Sequence, residues 1–106
     1  MEAVLLYITA AKHEDAVLLV RELLGERLIA CANIMEHVTS LYWWQGAIDQ
    51  ETEVVIVAKT MAEHVSKVID RVKALHTYDC PCVIALPIKD GNPDYIAWIA
   101  KETSSA

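Results

Sequence analysis

The 106 residues contain no phenylalanine, although 55% of them are hydrophobic. Large rings come only from four tyrosines and three tryptophans, side chains whose polar tip needs a partner when buried. Glycine and proline number three each, which leaves little room for linkers, disordered tails or a glycine loop that cradles phosphate. Basic residues are the scarce charge, nine Lys and Arg against fifteen Asp and Glu, and the net charge of −6 has the wrong sign for a phosphate backbone. Nucleic acid is therefore not expected as a partner. The run TEVVIVAKT also lacks the aromatic pattern by which RNA-recognition modules stack bases.

Long apolar runs are missing too. Stretches such as Val54–Ala58 fall far short of the roughly 20 residues that cross a bilayer, so no membrane insertion is expected. The start, MEAVLLYITAAKHED, has neither a basic region nor the apolar core of a secretory signal. Three cysteines, an odd number, point to reduced thiols and a cytoplasmic setting rather than a disulfide framework. Catalytic signatures are lacking: the sequence has no G-x-S-x-G elbow and no HExxH, and the loop TAAKHED has no arginine or glycine to hold a phosphate. No enzymatic activity is expected.

What is present reads as a single domain over residues 1–106, long enough to bury roughly two thirds of its unfolded surface. A mean hydropathy of +0.28 is apolar for so small a chain and implies that partner chains cover part of the surface. AVLLYIT, residues 3–9, predicts a buried strand. Ala16, Val17, Leu19, Val20, Leu23 and Leu24 have helical spacing over 14–24, with Gly25 placed to end the helix. LIACANIMEHVTSLYWW and TEVVIVAKT, joined across QGAIDQE, predict a long hairpin. Thr60 with Glu63 matches a capping box, followed by Met61, Val65, Val68, Val72 and Leu75 on one face of a second helix. CVIALPI predicts a last strand, and Pro93 opens a short helix carrying Tyr95, Trp98 and Ile99. This α+β order, β-α-β-β-α-β with an added C-terminal helix, is the ferredoxin-like arrangement: two helices lie on one face of a four-stranded antiparallel sheet and the other face is bare.

Within the hairpin, SLYWWQG (40–46) sets two adjacent tryptophans before a glycine. Neighbouring strand residues point to opposite faces, so one indole needs a surface outside the core. Asp49, Glu51 and Glu53 alternate and share a face, read as a solvated row that discourages edge pairing, with weak collection of divalent cations by hard oxygen ligands as the competing reading. Lys59 ends an apolar run, where a charge must be paired or solvated, and Asp49, Glu51 or Glu53 on a neighbouring hairpin is a candidate partner. His76, Cys80 and Cys82 could converge near the last strand, a soft ligand set that suits copper or zinc. CPC lacks the paired CxxC spacing of structural zinc, and burial in packing is the competing reading. Cys31 is expected in the core. His13, His37 and His64 have no partner that spacing identifies.

RLIACANI (27–34), SLYWWQG (40–46), EVVIVAKT (53–60), HTY (76–78) and LPIKDGNPDYIAWI (86–99) together resemble the CutA family of divalent-cation tolerance proteins. The resemblance implies a non-enzymatic homotrimer in which long hairpins reach onto neighbours, with copper, if any ion, as the bound species. It implies Trp44 in a subunit boundary and Trp43 on the opposite, more permissive side. It also implies that Tyr42, Trp44, Lys59, Tyr78 and Trp98 line a cleft or interface. The cysteine and the second histidine expected for copper are replaced by Ile8 and Leu75, leaving His76. A different class of function is a trimeric regulatory module, similar in architecture to PII proteins, that binds a small anionic metabolite between subunits.

Overall fold

In the computed structural model, which describes residues 2–104, the elements run β1 (Ala3–Ala10), α1 (His13–Gly25), β2 (Cys31–Trp44), β3 (Ala47–Met61), a 3-10 turn (Ala62–His64), α2 (Val65–Leu75), β4 (Val83–Pro87) and α3 (Pro93–Glu102). The sheet order is β2-β3-β1-β4 with every neighbouring pair antiparallel. This is the ferredoxin-like fold.

Strand alternation sets the two faces. Leu6, Ile8, Val54, Ile56 and Ala58 point to the side where α1 contributes Ala16, Leu19, Val20 and Leu23 and α2 contributes Val68 and Val72. Each large aliphatic side chain fully buried there is worth about 1.5–3 kcal/mol. The opposite, open face carries the odd-numbered residues of β1 and β3.

That face is not bare throughout. Ala3 and Met61 form a second buried cluster with Ile99, joined by Ile96 and Ala100 of α3. The third helix therefore caps one end of the open face. Its start follows the sequence: Asn92 accepts from the Asp94 amide at 3.0 Å, and Pro93 occupies the first turn.

Two expectations need correction. Thr60 does not cap a helix, because it is still paired with Val4 in the sheet, and its buried hydroxyl donates to the Leu28 carbonyl at 2.7 Å. Held in the strand, Thr60 directs its hydroxyl into the core rather than over the first amides of the turn, so the turn at Ala62 and α2 start without a side-chain cap, and Met61, expected on the face of that helix, is the last residue of β3. Cys31 is not a core thiol. It pairs with Lys59, which places it on the open face.

The hairpin gives the molecule its 44 Å length against 26 and 22 Å. Gln45 and Gly46 both have positive φ (49° and 84°) between the paired Trp44 and Ala47, the conformation that a tight two-residue turn between twisted strands requires. Further down, the register shifts between Met35 and Val38, with His37 at φ 62°. Glu36 and His37 face one residue, Val54, so the alternation of β2 inverts there. Cys31, Asn33 and Met35 lie on the open face before the bulge, and Val38, Ser40, Tyr42 and Trp44 lie on it afterwards.

Candidate functional site

The bulge decides which tryptophan enters the site. Trp44 and Tyr42 face the open side with Glu53, and together with Tyr7, Tyr78 and Cys82 they line a cleft of about 540 Å³. Trp43, 72% exposed, lies on the other side of the hairpin with Leu41 and Ile48, both more than 60% exposed.

Glu53 holds the floor of the cleft. It shares a face with Asp49 and Glu51 as alternation predicts, but it is only 8% exposed rather than part of a solvated row. The Tyr78 hydroxyl donates to its Oε2 at 2.8 Å. Burial, and next this bond to the Glu53 carboxylate, push the Tyr78 phenol far above its ordinary value. Desolvation and then the adjacent Glu51 carboxylate also raise Tyr42. Glu53 was missed as a cleft residue; the signal that could have marked it is its place directly before the buried run VVIVA. Its pairing with a hydroxyl 25 positions away carries no such signal.

Cys80 and Cys82 stand beside this group, just before β4, and Cys80 also lines the cleft. Burial, then Glu53, then Cys80 raise the Cys82 thiol. His76 sits apart in its bonding. Its Nε2 lies 2.7 Å from the Thr9 carbonyl and its Nδ1 accepts from the Tyr78 amide at 3.0 Å, so both ring nitrogens tie the end of α2 to β1 and to the following loop. Among the described residues no three His, Cys, Asp or Glu side chains form a preformed ligand cluster.

The remaining cleft candidates lie elsewhere. Lys59 donates to Asn33 Oδ1 at 3.4 Å and to Cys31 Sγ at 3.8 Å, and its ammonium stands 5.8 Å from the Tyr95 ring centroid, within cation–π reach. Tyr95 also shares a 3.4 Å hydrogen bond with Cys31, which together with burial raises its phenol while Lys59 pulls it down. Trp98 stacks on Tyr95 with centroids 5.5 Å apart. The five aromatic and cationic candidates thus divide into an acidic group (Tyr42, Trp44, Tyr78) and a basic group (Lys59, Trp98) at opposite ends of one face. Asn33 and Tyr95 were missed because only the strand register and α3 bring them to Lys59.

The sequence pattern of the family described as CutA1 divalent ion tolerance protein matches residues 4–102. The chain belongs to that family. A divalent-cation tolerance protein CutA from Pyrococcus horikoshii is 41% identical over 94% of this chain and 97% of its own. The structure of CutA1 from Oryza sativa superposes with a TM-score of 0.95 at 35% identity, covering 100% of this chain and 97% of that one. A structure described as the periplasmic divalent cation tolerance protein CutA, from Archaeoglobus fulgidus, superposes at 0.93 with 37% identity, covering 96% and 99%. Among the described residues of this CutA1 family member, no helix is long and apolar enough to cross a membrane.

Proposed function

We propose that this chain acts in tolerance of divalent cations as a non-enzymatic, cytoplasmic homotrimer, with copper the leading ion. The observation that carries self-association is the apolar strip of Leu41, Trp43 and Ile48, exposed on a hairpin that projects past the body of the domain. Contiguous apolar surface of this kind marks an interface, and the count of three follows from the family resemblance. The cytoplasmic reading rests on three free cysteines, which a reducing compartment keeps as thiols.

For the ion, the cleft offers two neighbouring thiols beside the Glu53 carboxylate, and soft thiolates select Cu(I). His76 could join Cys80 and Cys82 only by giving up one of its two internal bonds. An anionic metabolite would meet Glu53 and Asp79 as the charged side chains lining this cleft, so the regulatory reading finds no counter-charge within one chain.

Light scattering at low micromolar concentration should return the mass of three chains; a folded monomer would remove the assembly. Cu(I) titration of reduced protein should show affinity weakened about tenfold or more in Cys80→Ser/Cys82→Ser. Equal affinities would take both thiols out of the site. Because the Cys82 proton is held more firmly than in a free thiol and binding must expel it, affinity should climb as pH rises from neutral toward 9. His76→Ala should leave the titration unchanged while lowering stability by about 1–3 kcal/mol, the cost of unpaired buried partners; weaker copper binding there would restore His76 as a ligand.

A further inference from the structure

Two unmatched charges lie on the open face. Lys59 is half-buried and its polar partners, Asn33, Cys31 and the Tyr95 ring, are all uncharged in their ordinary forms. No ion pair among the described residues involves it. A cation withdrawn from water without a counter-charge is unfavourable. Glu53 has the opposite deficit: the residue is nine-tenths buried, only its Oε2 is engaged, by a neutral phenol, and no Lys or Arg lines its cleft.

The two cannot meet inside one chain. They occupy the same face of β3 six positions apart, a separation of roughly 20 Å at strand rise. We propose that they meet between chains, with Lys59 of one copy entering the cleft of the next and pairing with Glu53. This inference rests on the self-association proposed above and names the contact that completes the site. A contact between unlike patches is heterologous, and a threefold rotation would close it into the ring of the proposed trimer. Lys59 brings Tyr95 and Trp98 with it, so the cleft walled by Tyr42, Trp44 and Tyr78 gains its second wall from the neighbour. The aromatic and cationic residues split within one chain then stand together at the subunit boundary. Asp49 and Glu51 are weaker partners, because Glu51 is exposed and Asp49 half-exposed near the hairpin tip, where water screens a pair.

Zero-length carbodiimide coupling of a mixture of ordinary and 15N-labelled protein should yield an amide between the peptides bearing Lys59 and Glu53, with the mixed-isotope masses that only an inter-chain bond gives. Lys59→Glu and Glu53→Lys should each weaken association at least tenfold by sedimentation, and the double exchange Lys59→Glu/Glu53→Lys should recover it. Circular dichroism separates dissociation from misfolding, and the wild-type cross-link decides the matter if a variant fails to fold. A Lys59→Glu protein that remains fully assembled, or cross-links from Lys59 to Asp49 or Glu51 alone, would overturn the pairing while self-association stood. A wild type that sediments as a monomer would instead overturn the assembly itself.

Discussion

Ile56→Ala should lower the folding free energy by about 3–5 kcal/mol, the largest single-site loss expected in this chain. Ile56 lies at the middle of β3, paired with Ile8 on one side and Ile34 on the other, and is fully buried against α1 and α2. Neighbours on both flanking strands and two helices overhead hold the site open after truncation, so the cavity cannot collapse. Chemical denaturation of wild type and variant at one protein concentration measures the loss, since assembly makes stability concentration-dependent. A loss below about 1 kcal/mol would be an Ile→Val-sized effect and would mean that this part of the sheet repacks.

Tyr78→Phe should cost about 1–3 kcal/mol at neutral pH, because the buried Glu53 carboxylate loses the hydroxyl that donates to it. It should also change how stability depends on pH. The Tyr78 phenol is raised above 10.0 in the native state, so the folded chain keeps this proton at pH values where the unfolded chain has released it. The resulting stability is fully present below pH 10 and is lost as pH rises beyond it. Tyr42, Tyr95 and Cys82 are raised in the same sense and add their share. Phenylalanine does not titrate, so the variant should fall less steeply than wild type between pH 9 and 11. Parallel curves over that range would show that the Tyr78 phenol is not raised in the folded chain.

Much of the architecture was legible. Of the helical set, Ala16, Leu19, Val20 and Leu23 are buried while Val17 is half-buried and Leu24 exposed, because a 3.6 repeat leaves only one face to cover, and the strand runs at 3–9 and 53–58 supply Leu6, Ile8, Val54 and Ile56 to the core. Pro93 marked α3 for a similarly local reason. The capping box failed because Thr60 belongs to a strand whose pairing with Val4 takes precedence over local hydrogen bonding. Of the candidate site, the residue types were readable and their grouping was not. His76 was readable as a residue type, but the Thr9 carbonyl and the Tyr78 amide that meet its ring come from two other segments.

Composition and periodicity by themselves determined an acidic chain of α+β class with a long hairpin, since those properties follow from residue counts and local repeats. What residue counts and repeats left open, and tertiary structure decided, is how Trp44, the indole that the family resemblance favoured, comes to face the cleft. Glu36 and His37 oppose a single residue of β3, and that one extra residue inverts every side chain from Val38 to Trp44. Tertiary structure also decided that Lys59 and Glu53, which strand spacing already sets on one face, each meet only uncharged partners within the chain, because register across strands, not spacing along one, fixes what each side chain meets.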